Sequence, residues 1–219
     1  MGGINVNSIE KIKNIVADEL LPQLNLQSIN PNDPIVVRDL PSPWILLGSG
    51  NYASVLYHPD FPEFAVKIYA RGKLGIEDEI NVYKKLGIHR AYSQCYYGHN
   101  NFLILKRLEG ETLYNCLKKG IFIPVSVIKD IDEALDYAKH QGLNPHDVHV
   151  KNVMMLYGKG VIVDVSDFYK NEPCYLWEDF KKIYFKVYLP LFRKIHFPIS
   201  DFLLNSIRKS YRFYKKYIS

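Results

Sequence analysis

Hydrophobic and polar positions follow different patterns in the first and second parts of this chain. Residues 44 to 105 hold short apolar runs, rich in β-branched and aromatic residues and bounded by turn residues, as is typical of β-strands. The predicted strands are 44–47, 53–57, 64–69 and 102–105. A helical pattern near 76–86 interrupts them. The sequence therefore predicts a small β-rich part that includes a helix.

Helices are predicted on both sides of this β-rich part. Residues 8–22 carry isoleucine, valine and leucine at helical spacing, with Asn7 or Ser8 able to cap the start and Pro22 ending the pattern. Residues 124–141 form a second amphipathic helix pattern. The segment between the first helix and the β-rich part is rich in Asn, Pro and Asp, which predicts a loop.

The last part of the chain is predicted to hold a β-hairpin and then basic helices. The runs 152–156 and 160–164 flank a Tyr-Gly-Lys turn, which indicates a hairpin. From about residue 177 the pattern is helical. Residues 181–219 contain ten Lys or Arg and one Asp, a net charge of +9, whereas the whole chain carries +5. This asymmetry indicates either a solvated helical face or a surface for an acidic partner: a phosphorylated substrate, nucleic acid or an anionic membrane.

Length and composition allow one sizeable domain or two small lobes around a cleft. The chain has 219 residues, of which 47% are hydrophobic and 23% are charged, as in ordinary globular proteins. No apolar run approaches the about 18–20 residues that span a bilayer, and no signal-peptide pattern is present at the N-terminus. The three cysteines are not in a metal-binding spacing, which favours a reduced, cytoplasmic chain.

The segment Gly48-Ser-Gly-Asn-Tyr-Ala-Ser-Val55 lies between two predicted strands. Glycines at such a turn let backbone N–H groups approach phosphate oxygens without a side chain in the way. No helix follows directly, so the segment does not fit a dinucleotide-binding fingerprint. A Gly-x-Gly turn is also a common hairpin turn. The segment therefore indicates phosphate binding only in combination with the residues described next.

Lys67 lies in the apolar strand 64–69. Because both faces of this strand are apolar, its ammonium group needs an anionic partner. Glu79 falls on the apolar stripe of helix 76–86, whereas the two acidic residues before it lie off that stripe. A carboxylate in an apolar face is costly unless it is paired. The sequence predicts a Lys67–Glu79 ion pair, the alternative being a solvated acidic turn at the helix start.

A carboxylate, an amide and a second carboxylate follow in the second part of the chain. Asn152 comes five residues after Asp147, and Asp164 ends a Val-Ile-Val run twelve residues later. Such groups suit phosphoryl transfer with Mg²⁺: one carboxylate orients and deprotonates a hydroxyl, and the other two groups hold metal on the phosphates. His149 can stabilise the transferring phosphoryl group or serve as a structural residue of the loop.

In this order, the four motifs resemble the protein-kinase-like superfamily. The resemblance covers roughly residues 44–179 and is nearest to the small serine/threonine-protein kinases of Bacillus-type bacteria. It implies an α+β, bilobal fold. Residues 1–43 would be an N-terminal helical extension, 44–105 a small β-rich N-lobe and 106–219 a compact α-rich C-lobe.

The resemblance also implies an ATP-dependent kinase that uses Mg²⁺ and acts on a Ser or Thr hydroxyl of a protein substrate. Asp147 would be the catalytic base, Lys67 would contact the α- and β-phosphates beside Glu79, and Asn152 and Asp164 would bind the metal. The nucleotide site would be lined by Leu47, Gly48, Ser49, Gly50, Asn51, Val55, Ala65 and Lys67.

Three positions depart from the family pattern. Ala53 replaces a third glycine, His146 directly precedes Asp147, and Asp164-Val-Ser replaces Asp-Phe-Gly. The Asp147-x-His149 pattern is similar to aminoglycoside, choline and Kdo kinases, so a small-molecule kinase is one alternative. A nucleotide-binding pseudokinase is the other, although the presence of all the charged residues that the family needs weighs against it.

Overall fold

The computed structural model describes residues 6–30, 33–70, 72, 74–193 and 195–218, without the side chains of 208, 211, 212 and 214–218. The architecture is mixed α+β. A five-stranded antiparallel sheet has helices on both faces, and a mostly helical part with a small three-stranded sheet follows it. This arrangement is compatible with a kinase-like fold. No helix in the described part of the chain is both long and apolar enough to cross a membrane.

The first helical segment lies on one face of the five-stranded sheet. It consists of α1 (Val6–Ile15), a π-helical turn (Val16–Leu20) and α2 (Leu21–Gln23). The predicted start is wrong, because Asn7 and Ser8 lie inside α1, which the structure describes from Val6 onward. Pro22 does not end it either: Pro22 lies in the first turn of α2, where its missing N–H is tolerated, and the helix continues to Gln23.

One helix, α3 (Ile76–Leu86), interrupts the strands of the first part of the chain, as the sequence pattern predicts. In chain order the elements are β1 (Asn25–Gln27), β2 (Val36–Arg38), β3 (Ile45–Ser49), β4 (Ala53–Tyr57), β5 (Phe64–Tyr69), α3 (Ile76–Leu86), β6 (Cys95–His99) and β7 (Phe102–Lys106). β1 and β2 form a separate pair, and the other strands form one sheet in the order β3-β4-β5-β7-β6. The predictions for β4, β5 and α3 are confirmed at both ends.

Strand β6 is absent from the sequence-based prediction because a glycine interrupts its short run. A Cβ at Gly98 would come within 2.7 Å of side-chain atoms of Ile80 and Leu103. The glycine therefore lets α3 close onto β6 and β7, a packing requirement that local sequence does not express.

The two faces of the sheet contribute to two hydrophobic cores. Phe64, Val66 and Ile68 of β5 pack with Ile12, Val16 and Leu20 of the first helical segment. Ala65 and Tyr69 of the same strand face the other core, which contains α3 and much of the helical part. This alternation is that of a fully buried strand. The first helical segment is thus a layer of the folded core.

The second part begins where β7 ends. Its elements are β8 (Glu111–Thr112), α4 (Leu113–Lys119), α5 (Val125–His140), β9 (Val153–Leu156), β10 (Lys159–Ile162), α6 (Leu176–Ile183), a π-helical turn (Tyr184–Tyr188), α7 (Leu189–Phe192) and α8 (Asp201–Ile218). The predicted hairpin is confirmed: Tyr157 and Gly158 connect β9 and β10 with positive φ angles of 49° and 76°, as in a type I′ turn. The short helix α4, capped by the Thr112 side chain, has no counterpart in the prediction.

The link between the two parts, residues 107–110, lies against the hairpin. A Cβ at Gly110 would come 2.5 Å from the Met155 carbonyl oxygen. Only glycine lets this backbone approach β9 so closely. The connection is therefore held in place at Gly110, where its backbone packs against β9.

Candidate active site

The Lys67 ammonium group lies between two carboxylates. Its Nζ atom is 2.9 Å from Glu79 Oε1 and 3.0 Å from Asp164 Oδ1. The ion pair predicted between Lys67 and Glu79 is thus present, on the buried face of α3. Asp164, which is 97 residues away in sequence, joins the same lysine from the loop after β10. This contact connects the five-stranded sheet to the second part of the chain.

The electrostatics of this cluster keep the lysine charged. Burial acts to lower the pKa of Lys67, but Asp164 and Glu79 outweigh it, and the pKa is raised. Burial raises the pKa of Glu79, an effect that Lys67 opposes. Burial also acts to raise the pKa of Asp164, but Lys67 and the hydrogen bonds from Ser166 hold that pKa below its usual value. Asp164 is therefore ionised at neutral pH, and 34% of its side chain is exposed.

Tyr69 is a member of the cluster that the sequence analysis did not identify. Its hydroxyl group donates a 2.6 Å hydrogen bond to Glu79 Oε2. With Lys67 on the other oxygen, both oxygens of the fully buried carboxylate are satisfied. Tyr69 lies two residues after Lys67 in β5, so strand alternation places both side chains on one face. The spacing of two residues between Lys67 and Tyr69 could therefore have identified Tyr69 from the sequence.

Asp147 lies in a loop held from several sides. Its φ angle is +56°, a left-handed conformation that is uncommon for residues other than glycine. Its N–H donates to Cys174 Sγ at 3.3 Å, and its carbonyl oxygen accepts a 3.0 Å hydrogen bond from Asn152 Nδ2. The Asn152 carbonyl oxygen in turn accepts from Val163 N–H at 3.0 Å. The loop is thereby attached to the chain segment that leads into Asp164.

The environment of Asp147 includes His149. Its Nδ1 accepts the Lys151 backbone N–H at 3.2 Å, so in the neutral ring the proton is on Nε2. That Nε2 lies 3.7 Å from Asp147 Oδ2. Burial raises the pKa of Asp147, and the charge of Asp164 adds to this increase, whereas His149 opposes it. His149 thus both braces the loop and faces the carboxylate.

The glycine-rich segment lies next to Lys67 in the sheet. Gly48 pairs with Val55, and Val55 pairs with Lys67, so these three residues form one row across β3, β4 and β5. Ala65 follows on the same face as Lys67. A Cβ at Gly48 would meet no atom within 4 Å. The backbone of this strand is therefore open to an approaching ligand.

The remaining predicted nucleotide-binding residues are less directly connected to the lysine cluster. Leu47 is the extra residue of a β-bulge and is half exposed. The hydroxyl groups of Ser49 and Ser54 lie 2.9 Å apart, and Gly50 N–H donates to the Ala53 carbonyl oxygen at 2.8 Å. Asn51 follows in the bend at the loop tip. These contacts shape the hairpin itself.

The structure thus brings together Lys67, Glu79 and Asp164 by direct contact, and Asp147 with Asn152 beside them. Asn152 and Asp164 offer an amide oxygen and a carboxylate oxygen, which are hard ligands of the kind that Mg²⁺ prefers. Within the described residues, no group of three His, Cys, Asp or Glu side chains could hold a metal on its own. A metal ion here would need phosphate and water oxygens to complete its coordination.

No family model matches this chain. Comparison with known proteins does find a relative. The chain is 34% identical over 149 residues to a Bacillus subtilis (strain 168) protein named "Putative serine/threonine-protein kinase YrzF". The alignment covers 67% of this chain and 64% of that relative, so the chain spans less than two thirds of the relative's length. The resemblance to the small serine/threonine-protein kinases of Bacillus-type bacteria is confirmed.

Proposed function

Starting from the similarity to this Bacillus subtilis protein, we propose that the chain is an ATP-dependent phosphotransferase. In this proposal it transfers the γ-phosphate of ATP to a Ser or Thr hydroxyl of a protein substrate, with Mg²⁺. The supporting observation is the Lys67 ammonium group held between Glu79 and Asp164 at 2.9 and 3.0 Å. A lysine fixed by one carboxylate beside a second, partly exposed carboxylate is the arrangement that positions nucleotide phosphates and metal in kinases.

The proposal includes a bilobal architecture. Residues 44–105 form the N-lobe, with residues 1–43 as its helical extension, and residues 106–219 form the C-lobe. ATP binds between the lobes, beneath the glycine-rich segment. The row that joins Gly48, Val55 and Lys67 supports this placement, because it puts an open backbone and a cation on one sheet face.

The nucleotide-binding residues have distinct tasks in this scheme. Lys67 contacts the α- and β-phosphates, and Glu79 with Tyr69 fixes the position of its ammonium group. Gly48 and Gly50 allow the loop backbone to cover the phosphates, with Ser49 and Asn51 between and beside them. Leu47, Val55 and Ala65 provide apolar contacts for the adenine ring.

Asn152 and Asp164 would hold Mg²⁺, which neutralises charge on the transferring phosphoryl group when it is bound. Because Asn152 Nδ2 donates to the Asp147 carbonyl oxygen, its Oδ1 is available as a ligand. Asp164 is ionised and partly exposed. The two oxygens therefore fit a metal that takes its remaining ligands from phosphates and water.

Asp147 is the proposed base, which orients the acceptor hydroxyl and takes its proton. The hydrogen bonds at its N–H and carbonyl group hold the backbone of this residue on both sides. The neighbouring His149 Nε2 can donate toward the transferring phosphoryl group.

The Asp147-x-His149 pattern keeps a small-molecule kinase as the second candidate function. The free thiols of Cys95, Cys116 and Cys174 support a cytoplasmic location.

The proposal is tested by incubating the purified protein with labelled Mg-ATP and measuring phosphate incorporated into protein. We expect label with the wild type and with Asp136→Asn, an exposed aspartate of α5, and none with Asp147→Asn. Label in none of the three proteins would contradict a protein kinase that phosphorylates itself. Acceptor screening would then separate a small-molecule kinase from a pseudokinase.

The roles of the cluster are tested by Lys67→Met and Asp164→Ala. Each should abolish Mg-ATP turnover while the circular dichroism spectrum remains that of a folded protein. Matched controls are Lys129→Met and Asp18→Ala, which change exposed residues of the same types. Turnover that persists in either cluster variant would contradict these assignments.

A further inference from the structure

The described residues of 183–213 expose many large apolar side chains, on helical segments and on the loop that joins α7 to α8. Phe202 in the first turn of α8 is 82% exposed, and Leu203 and Ile207 are about half exposed. The preceding segment exposes Ile183, Phe185, Val187, Leu191, Ile195 and Phe197. Isolated exposed apolar residues are normal, but neighbouring ones such as Leu203 and Ile207, four residues apart in α8, form a patch of the kind that marks an interaction surface.

The first turn of α8 is fixed to the rest of the protein. Asp201 pairs with Lys118 at 2.7 Å and accepts a hydrogen bond from the Tyr114 hydroxyl group at 2.7 Å. Leu204 packs against the main core. The exposure of Phe202, Leu203 and Ile207 is therefore a property of the side of α8 that faces away from these contacts.

The same segment is strongly basic. Residues 181–219 carry a net charge of +9, and Lys186, Arg193 and Lys209 are exposed in the described part. A helical segment that is basic and also exposes Phe, Leu and Ile has the composition of segments that lie in membrane interfaces.

The charge and the apolar residues together restrict the partner. A second copy of this chain would bring +9 against +9, and like charges in contact oppose association. Nucleic acid would satisfy the basic residues but gives no reason for Phe202 and Ile207 to be exposed. A bilayer with anionic headgroups takes both, because its surface attracts Lys and Arg while its acyl boundary accepts apolar side chains.

We propose that the segment 183–213, with α8 at its centre, is a docking surface for an anionic lipid bilayer. Phe202, Leu203 and Ile207 enter the headgroup region, and the exposed Lys186, Arg193 and Lys209 contact the lipid phosphates and carboxylates. The protein thereby lies on the membrane surface and can act on acceptors that are held there.

The full chain is tested by flotation with phosphatidylcholine vesicles, with and without phosphatidylserine. We expect binding only to the phosphatidylserine vesicles, and a decrease as salt rises because headgroup attraction is screened. The double variant Phe202→Ser, Ile207→Ser should weaken binding by about tenfold or more. The variant Lys186→Glu, Lys209→Glu should weaken it too, and the loss should shrink at high salt.

The matched control is Ile29→Ser, Ile88→Ser, which changes two isoleucines that are 68% and 83% exposed outside this segment. It should bind vesicles like the wild type. The proposal is overturned by absence of binding to phosphatidylserine vesicles, or by unchanged binding of the Phe202, Ile207 variant. If the wild type and the Phe202, Ile207 variant bound polyglutamate or RNA equally well, and as tightly as the vesicles, the partner would be purely electrostatic, and the proposal would be overturned. A dimer in gel filtration that the variant abolishes would show self-association, and would equally overturn it.

Discussion

Lys67 is the residue on which the candidate site is built, because two carboxylates from different parts of the chain share its charge. The fully buried Glu79 has its two oxygens occupied by Lys67 and by the Tyr69 hydroxyl group. A buried carboxylate without such partners would be protonated or strongly destabilising. Tyr69 is therefore expected to matter for stability as well as for the position of the lysine.

Replacing Tyr69 with Phe should lower the free energy of unfolding by about 1.5–3 kcal/mol, the range for hydrogen bonds to charged groups. The buried carboxylate of Glu79 loses a donor that cannot be replaced by solvent. Urea denaturation measures the loss. Mg-ATP turnover should also fall, since the lysine is less firmly held.

Tyr83 provides the matched control. It is also buried near Glu79, but its hydroxyl group has no hydrogen-bond partner among the described residues. Tyr83→Phe should therefore change the free energy of unfolding by less than about 0.5 kcal/mol, or increase it. Equal losses in the two variants would show that removal of a buried hydroxyl group, and not loss of the hydrogen bond to Glu79, determines the effect.

At the scale of elements, the first helical segment is part of the sheet's core. Ile12, Val16 and Leu20 are completely buried against β4, β5 and β7. The helical periodicity of this segment identifies the buried stripe. The sheet face that it covers, formed by alternate residues of β5, would otherwise be exposed to water. We therefore expect the segment to stabilise the sheet, although the sequence alone describes it as an extension.

Ile12→Ala should lower the free energy of unfolding by about 2–5 kcal/mol, because it removes buried methyl groups and leaves a cavity. Val6→Ala, at a position that is 75% exposed in the same helix, should change it by less than about 0.5 kcal/mol. Chemical denaturation followed by circular dichroism provides both values. A small effect of Ile12→Ala would mean that the sheet is stable without this layer.

At the scale of the whole molecule, the two parts of the chain meet where the candidate ligands converge. The Lys67–Asp164 contact spans them, and Ile162 N–H donates to the Ala91 carbonyl oxygen at 2.8 Å where β10 ends. Groups from the sheet and from the helical part therefore contribute to one site. A ligand that contacts both parts should stabilise the folded protein as a unit.

Mg-ATP at a hundred times its dissociation constant should raise the free energy of unfolding by about 2.7 kcal/mol. For a chain of this size, each kcal/mol raises Tm by about 2–4 °C. Removing Mg²⁺ with EDTA should abolish most of the shift, and so should Asn152→Ala. The exposed-residue variant Asp18→Ala should keep it. A shift that is independent of Mg²⁺ and of Asn152 would contradict the metal assignment.

Sequence periodicity by itself determined the elements with strong local patterns. β4, β5, α3 and the β9–β10 hairpin follow from alternation, apolar stripes and turn residues, which depend only on neighbours along the chain. The choice of Glu79 as the partner of Lys67 also followed from the apolar stripe of α3, because a carboxylate on a buried face must be paired.

Tertiary structure alone decided the features that depend on distant residues. Strand β6 contains Gly98, and a side chain at this position would clash with Ile80 and Leu103, which pack against it. Asp164 reaches Lys67 across 97 residues, and the Asp147 N–H finds Cys174 across 27. No spacing encodes such contacts, because chain folding and close packing bring these groups together. The sequence supplied the chemical groups of the site, and the fold supplied their partners.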